Sequence, residues 1–121
     1  MIAPALNPER PRSARVRLAR LAEAVIAAEP AVEPAVGSAG RWLTFDADEP
    51  IEGVVAAEGA EGIEIELHLI ARWPTGPLPH VAEALRGALR KAAGQAGLGS
   101  RLGEVSVSFH DIDLGGSGAV R

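Results

Sequence analysis

The sequence predicts an α/β (α+β) domain, a two-layer sandwich with two helices packed on one face of a mixed three- to four-stranded sheet. Three observations lead there. The run GIEIELHLIARW alternates between apolar and polar residues from Ile63 to Leu69, one stretch of helical spacing lies on each side of the strand-rich middle, and the closing run VSVSFH alternates again. Alternation of this kind describes a sheet with one packed face and one wet face.

Along the chain, residues 1–12 carry Pro4, Pro8 and Pro11 and are expected to form a flexible N-terminal tail. Ser13 is a natural N-cap, and Leu18, Leu21, Ala22, Val25 and Ile26 then follow helical spacing. Pro30 should stop that helix near Glu29, with a loop from Pro30 to Gly40. Arg41–Phe45 reads as a short strand, followed by an acidic turn at Asp46, Asp48 and Glu49 and a second strand from Ile51 to Ala57. In the long third strand Ile63, Ile65, Leu67, Leu69 and Ala71 share one face, and Glu64, Glu66, His68, Ile70 and Arg72 the other.

Pro74–Pro79 breaks the pattern, and a second helix is expected from about Pro79 to Ala96, with Val81, Leu85, Ala88, Leu89 and Ala92 inward and Pro79 in its first turn. Gly97 and Gly99 suit its C-terminal end. A last strand, Glu104–Ile112, sets Val105, Val107 and Phe109 against Ser106, Ser108 and His110. The crossover through the second helix makes the third and fourth strands parallel, while the second and third form an antiparallel hairpin. Residues 13–113 thus form one domain, and residues 114–121 a flexible C-terminal tail.

A chain of 121 residues suits one domain. Aromatic residues are confined to Trp42, Phe45, Trp73 and Phe109, so Val, Ile, Leu and Ala must build the core. The lack of cysteine excludes disulfides, a thiol nucleophile, zinc–thiolate sites and iron–sulfur clusters. No apolar run approaches the ~18 residues of a membrane span, and no signal-peptide pattern is present, so the expectation is a soluble cytoplasmic protein. The net charge of -4 is uneven. Arg10, Arg12, Arg15, Arg17 and Arg20 against Glu9 give residues 1–20 a charge of +4, which leaves -8 on the rest. Such a basic segment suits an anionic membrane surface or an acidic protein partner. An acidic body without a basic groove interleaved with aromatics argues against nucleic acid.

Catalytic patterns are sparse. His68 and His110 lie on the polar face of the predicted sheet, with Asp111 and Asp113 following the latter. The simplest reading is a pair of solvated positions on an exposed face, with no metal, cofactor or small-molecule substrate. The alternative is a small metal-dependent or acid–base enzyme using His68, His110 and Asp111, were these to converge. His80, in the first turn of the second helix, reads as exposed. No GxSxG elbow occurs, and the glycines from Gly94 to Gly103 follow a helix instead of opening one, so they form no phosphate loop.

The segment from Pro34 to Ile112 nevertheless has a familiar order: GRWLTF, then IEGVVA, GIEIELHLIARW, a Pro/Gly break, the helix PLPHVAEALRGALRKAA and the closing VSVSFHDID. In that order it resembles the alkaline shock protein family, the general-stress and envelope stress response proteins of Gram-positive bacteria, in its actinobacterial form. Trp73-Pro74-Thr75 stands where the family commonly has an aromatic–glycine ending. The resemblance implies a non-enzymatic scaffold of cell-envelope homeostasis, cytoplasmic but peripheral at the inner face of the membrane. It would self-associate or dock on a membrane-anchored partner of the same family. It offers no catalytic residues.

Overall fold

The computed structural model describes residues 12–36, 41–74 and 76–113. The expected tails, apart from Arg12 at the helix entry, lie outside these residues, as does Arg10.

The architecture agrees with the predicted class. Helix α1 (Ala14–Ala27) is followed by strands β1 (Val32–Pro34), β2 (Leu43–Asp46), β3 (Glu49–Glu52), β4 (Val54–Gly59) and β5 (Gly62–Arg72). Helix α2 (Leu78–Gln95) and strand β6 (Leu102–Asp113) complete the order. Ser13 caps α1 as its sequence suggests, its Oγ accepting from the Val16 amide at 3.2 Å. Gly97 leaves α2 with φ +76°, the left-handed geometry that a glycine adopts without a Cβ penalty.

Strand β5 is the axis of a four-stranded sheet. One edge pairs in parallel with β6, and the other pairs antiparallel with β4 and then with β1. The two short strands lie end to end: the His68 amide donates to the Gly53 carbonyl at 2.7 Å, and the His68 carbonyl accepts from the Ala35 amide at 2.8 Å. Strands β2 and β3 form a separate two-stranded hairpin. It is fastened to β4 by Thr44, whose buried hydroxyl donates to the Val54 carbonyl and accepts from the Ala56 amide.

Both helices cover the face carrying Ile63, Ile65, Leu67 and Leu69, all fully buried. Each such side chain contributes about 1.5–3 kcal/mol relative to exposure. Leu18, Ala22 and Ile26 of α1 and Val81, Leu85, Leu89 and Ala93 of α2 close the core from above.

Three details differ from expectation. The stretch predicted as one strand, Ile51–Ala57, is two strands, because Gly53 turns with φ +78° between them. The predicted loop after Pro30 contains β1, whose three residues are too few to show a period. On α2, Ala82 and Ala93 are buried while Ala88 is exposed and Ala92 half-buried. Ala88 and Ala92 line an interhelical groove with Leu21, Ala24 and Val25 of α1 and with Ala28, its C-cap, so they face the neighbouring helix and solvent instead of the sheet.

Candidate functional site

The wet face of the sheet is not uniformly wet. Trp42, just before β2, stacks on two histidines: its ring centroid lies 5.0 Å from His68 at an interplanar angle of 4°, and 3.9 Å from His110 at 22°. Beneath it His68 Nδ1 and His110 Nε2 are 2.8 Å apart, and His68 Nε2 lies 2.9 Å from Glu66 Oε1. The expectation of two solvated histidines is therefore corrected for His68, while His110 is exposed as expected. His68 is only 9% exposed, because Trp42 crosses its face.

Local backbone structure assembles the cluster. The β5–β6 register passes from Leu69 opposite Phe109 to Ile70 opposite Asp111, so His110 is the extra residue of a bulge. Bulges re-aim side chains, and this one sets His110 against His68. Gly53 places Trp42: its amide donates to the Trp42 carbonyl at 2.8 Å while its own carbonyl accepts from His68. A Cβ at Gly53 would lie 2.7 Å from Pro34 Cβ and 2.9 Å from the His68 carbonyl oxygen, so the close approach requires glycine.

The contacts constrain the proton arrangement. A carboxylate only accepts, so His68 Nε2–H donates to Glu66. With the His68 ring neutral, Nδ1 accepts and His110 Nε2–H is the donor. The result is a carboxylate–imidazole–imidazole relay under an indole lid. Of the trio His68, His110 and Asp111, the structure brings together the first two. The Asp111 carboxylate accepts from the Ile112 amide at 2.8 Å instead. Among the described residues no group of three or more His, Cys, Asp or Glu side chains could hold a metal ion. His80 is exposed, as expected.

The second cluster is built from the basic segment. Asp46, at the end of β2, is buried, and two guanidinium groups neutralise it. Arg12 Nε lies 2.8 Å and Arg20 Nε 2.9 Å from its Oδ2. Arg20 also reaches Glu23 at 2.7 Å and Glu49 at 2.6 Å. The hydrogen bonds from Arg12, and then those from Arg20, hold the Asp46 carboxyl below its usual range. Glu23 and then Asp46 push the Arg20 guanidinium above its ordinary value.

Of the five arginines singled out from the sequence, Arg12 and Arg20 are thus committed to anchoring α1 on the β2–β3 hairpin. Among the described residues, Arg15 and Arg17 make only long contacts of 3.4 Å, to the carbonyls of Ala56 and Ala96. Arg12, Arg17 and Arg20 rim an open cavity of about 390 Å³ floored by Leu21, Ala96 and Leu98. The basic leader and acidic body separated by charge counting are physically joined at Asp46.

Sequence reasoning missed Trp42, Glu66 and Asp46 as members of these clusters. Glu66 sits two residues from His68 on one strand face, a spacing that was visible. The bulge that completes the site was not.

No protein-family model, no curated protein and no solved structure matches the chain.

Proposed function

We propose that the chain is a non-enzymatic interaction protein of the cell-envelope stress response, peripheral at the inner face of the membrane and docked on a membrane-anchored partner. The resemblance in the order of its segments suggests the setting. The observation that carries the mechanism is the open edge of β6. Among the described residues this 12-residue strand pairs on one side alone, with β5. An unpaired edge is a template for strand addition, in which main-chain hydrogen bonds supply affinity and side-chain pockets supply specificity. No described helix is long and apolar enough to cross a membrane. Arg15 and Arg17, free of strong ion pairs among the described residues, are the charges left to meet an anionic surface.

Deleting residues 1–20 would remove Leu18 and Ala19 from the core, so point substitutions are the proper test. The outward main-chain groups of β6 belong to Val105, Val107 and Phe109, since the Val105 carbonyl accepts from Arg86 of α2 and successive residues alternate. Val107→Pro therefore removes an outward donor and costs no bond to β5. Flotation with vesicles bearing a membrane-anchored protein of the resembled family should carry the wild type and lose Val107→Pro. Equal flotation of both would overturn the edge mechanism.

A second reading follows from the His68–His110 contact, as an acid–base site with Glu66 as its orienting carboxylate. Replacing both histidines by glutamine should then abolish an activity that Val107→Pro retains.

A further inference from the structure

The open edge of β6 has an internal symmetry. Its apolar residues Leu102, Val105, Val107, Phe109 and Ile112 are spaced evenly about Val107, as are the polar pairs Ser106 and Ser108, and Glu104 and His110. The two register shifts against β5 flank the same residue, one between Leu102 and Val105 and one between Phe109 and Asp111. Regular strand is thus centred on Val107. Val105 is buried, and Val107 and Phe109, packed against the core, are half-buried at the rim of the helix-covered face.

We propose that this edge takes a second copy of the same chain, added antiparallel with a two-fold axis at Val107; the inference rests on the reading of β6 as a docking edge and makes the second copy and the membrane-anchored partner alternative occupants of it. In this register Val107 faces Val107 of the second copy, and the two exchange both main-chain hydrogen bonds. Val105 faces Phe109, Ser106 faces Ser108, and the Glu104 carboxylate faces the His110 imidazole. Apolar residues meet apolar on the helix side, and polar meet polar on the other. A one-residue slip would mix the faces. The nearest slips that keep the faces together, by two residues, set Phe109 against Gly103 or Val105 against Asp111. Only the axis at Val107 pairs every apolar residue of the strand with another. A two-fold contact of this kind is self-complementary and closed, and both copies carry their helices on one side of a continuous sheet.

The absence of cysteine makes the register directly testable. In the proposed dimer residue 106 lies opposite 108 of the second copy in a non-hydrogen-bonded pair, with Cα atoms about 4.5 Å apart. Residue 106 and its own copy are diagonal, about 7–8 Å apart and beyond disulfide reach. An equimolar mixture of Ser106→Cys and Ser108→Cys full chains should oxidise to a covalent dimer at least about tenfold faster than either variant alone. Sedimentation of the wild type should show a concentration-dependent dimer. Ser106→Lys/Ser108→Lys, which sets lysine against lysine on the exposed face, should sediment as a monomer with an unchanged circular dichroism spectrum. Equal cross-linking in mixed and single-variant samples, or a dimer that survives the double lysine variant, overturns this register. A wild type that stays monomeric while Val107→Pro still loses vesicle flotation overturns the second copy and leaves the docking edge standing. A monomer with no flotation difference overturns both.

Discussion

His68 Nδ1 and His110 Nε2 lie 2.8 Å apart, a gap that holds one hydrogen and has no room for a second. His68 is held on its far side by Glu66, so its ring cannot turn without breaking a second contact. Removing His110 leaves a largely buried acceptor without its donor and uncovers Trp42. We expect His110→Ala to cost about 1–3 kcal/mol in urea unfolding, the range for an orphaned buried polar atom. Trp42 emission should shift to the red. His110→Gln, which keeps an N–H donor, should recover part of the loss. An unchanged unfolding midpoint in His110→Ala would mean that the contact carries no weight.

Asp46 makes acid stability predictable in sign. Its carboxyl is held below the ordinary value by Arg12 and Arg20, so the folded state binds its proton less readily than the unfolded state does. The stabilisation is therefore complete above the ordinary carboxylate value, about pH 4. It is lost as pH falls through that value toward the lower folded one. Asp46→Asn should destabilise the chain at pH 7 and much less at pH 3. Urea midpoints measured across that interval test it, and a destabilisation independent of pH would count against the ion pairs as its source.

Gly53 carries the link between Trp42 and His68. Its φ of +78° disfavours any side chain, and a Cβ would press on Pro34 and on the His68 carbonyl. Gly53→Ala should cost about 1–3 kcal/mol, the scale of a strained backbone position. It should also loosen Trp42, and acrylamide quenching of the tryptophan fluorescence measures that.

These positions mark where the sequence was legible. The period-two runs gave β5 and β6 their faces, because Ile63 to Ala71 and Val105 to Phe109 are long enough for alternation to be seen. The parallel pairing followed from the crossover through α2. Gly53 was hidden inside a stretch, IEGVVA, that reads as continuous strand, since a glycine does not reveal its φ. The His110 bulge was equally hidden: alternation predicts where His110 points, and an extra residue in the pairing changes what it touches. Asp46 looked like one acid in an acidic turn. Its partners lie 26 and 34 residues away, and long-range ion pairing leaves no local signal. The symmetry of β6 about Val107 was present in the text of the strand. It gained meaning once that edge was found open.

Arg86 guards the open edge. Its Nε donates to the Val105 carbonyl at 3.0 Å, and a neighbouring bond ties it to Glu83. In the proposed dimer the Val105 carbonyl accepts instead from Phe109 of the second copy, so the guanidinium competes with association. Charged side chains at sheet edges commonly hold strand pairing in check in this way. Arg86→Met keeps the aliphatic stem and removes the donors. Two released hydrogen bonds, one in each copy and together about 1–3 kcal/mol net, should tighten the sedimentation dimer by about 5- to 160-fold. The unfolding free energy should fall by about 0.5–1.5 kcal/mol per chain, because that figure is already net of water solvating the freed carbonyl. A weakened dimer in Arg86→Met would show that the arginine supports the interface, and the competition argument would fall.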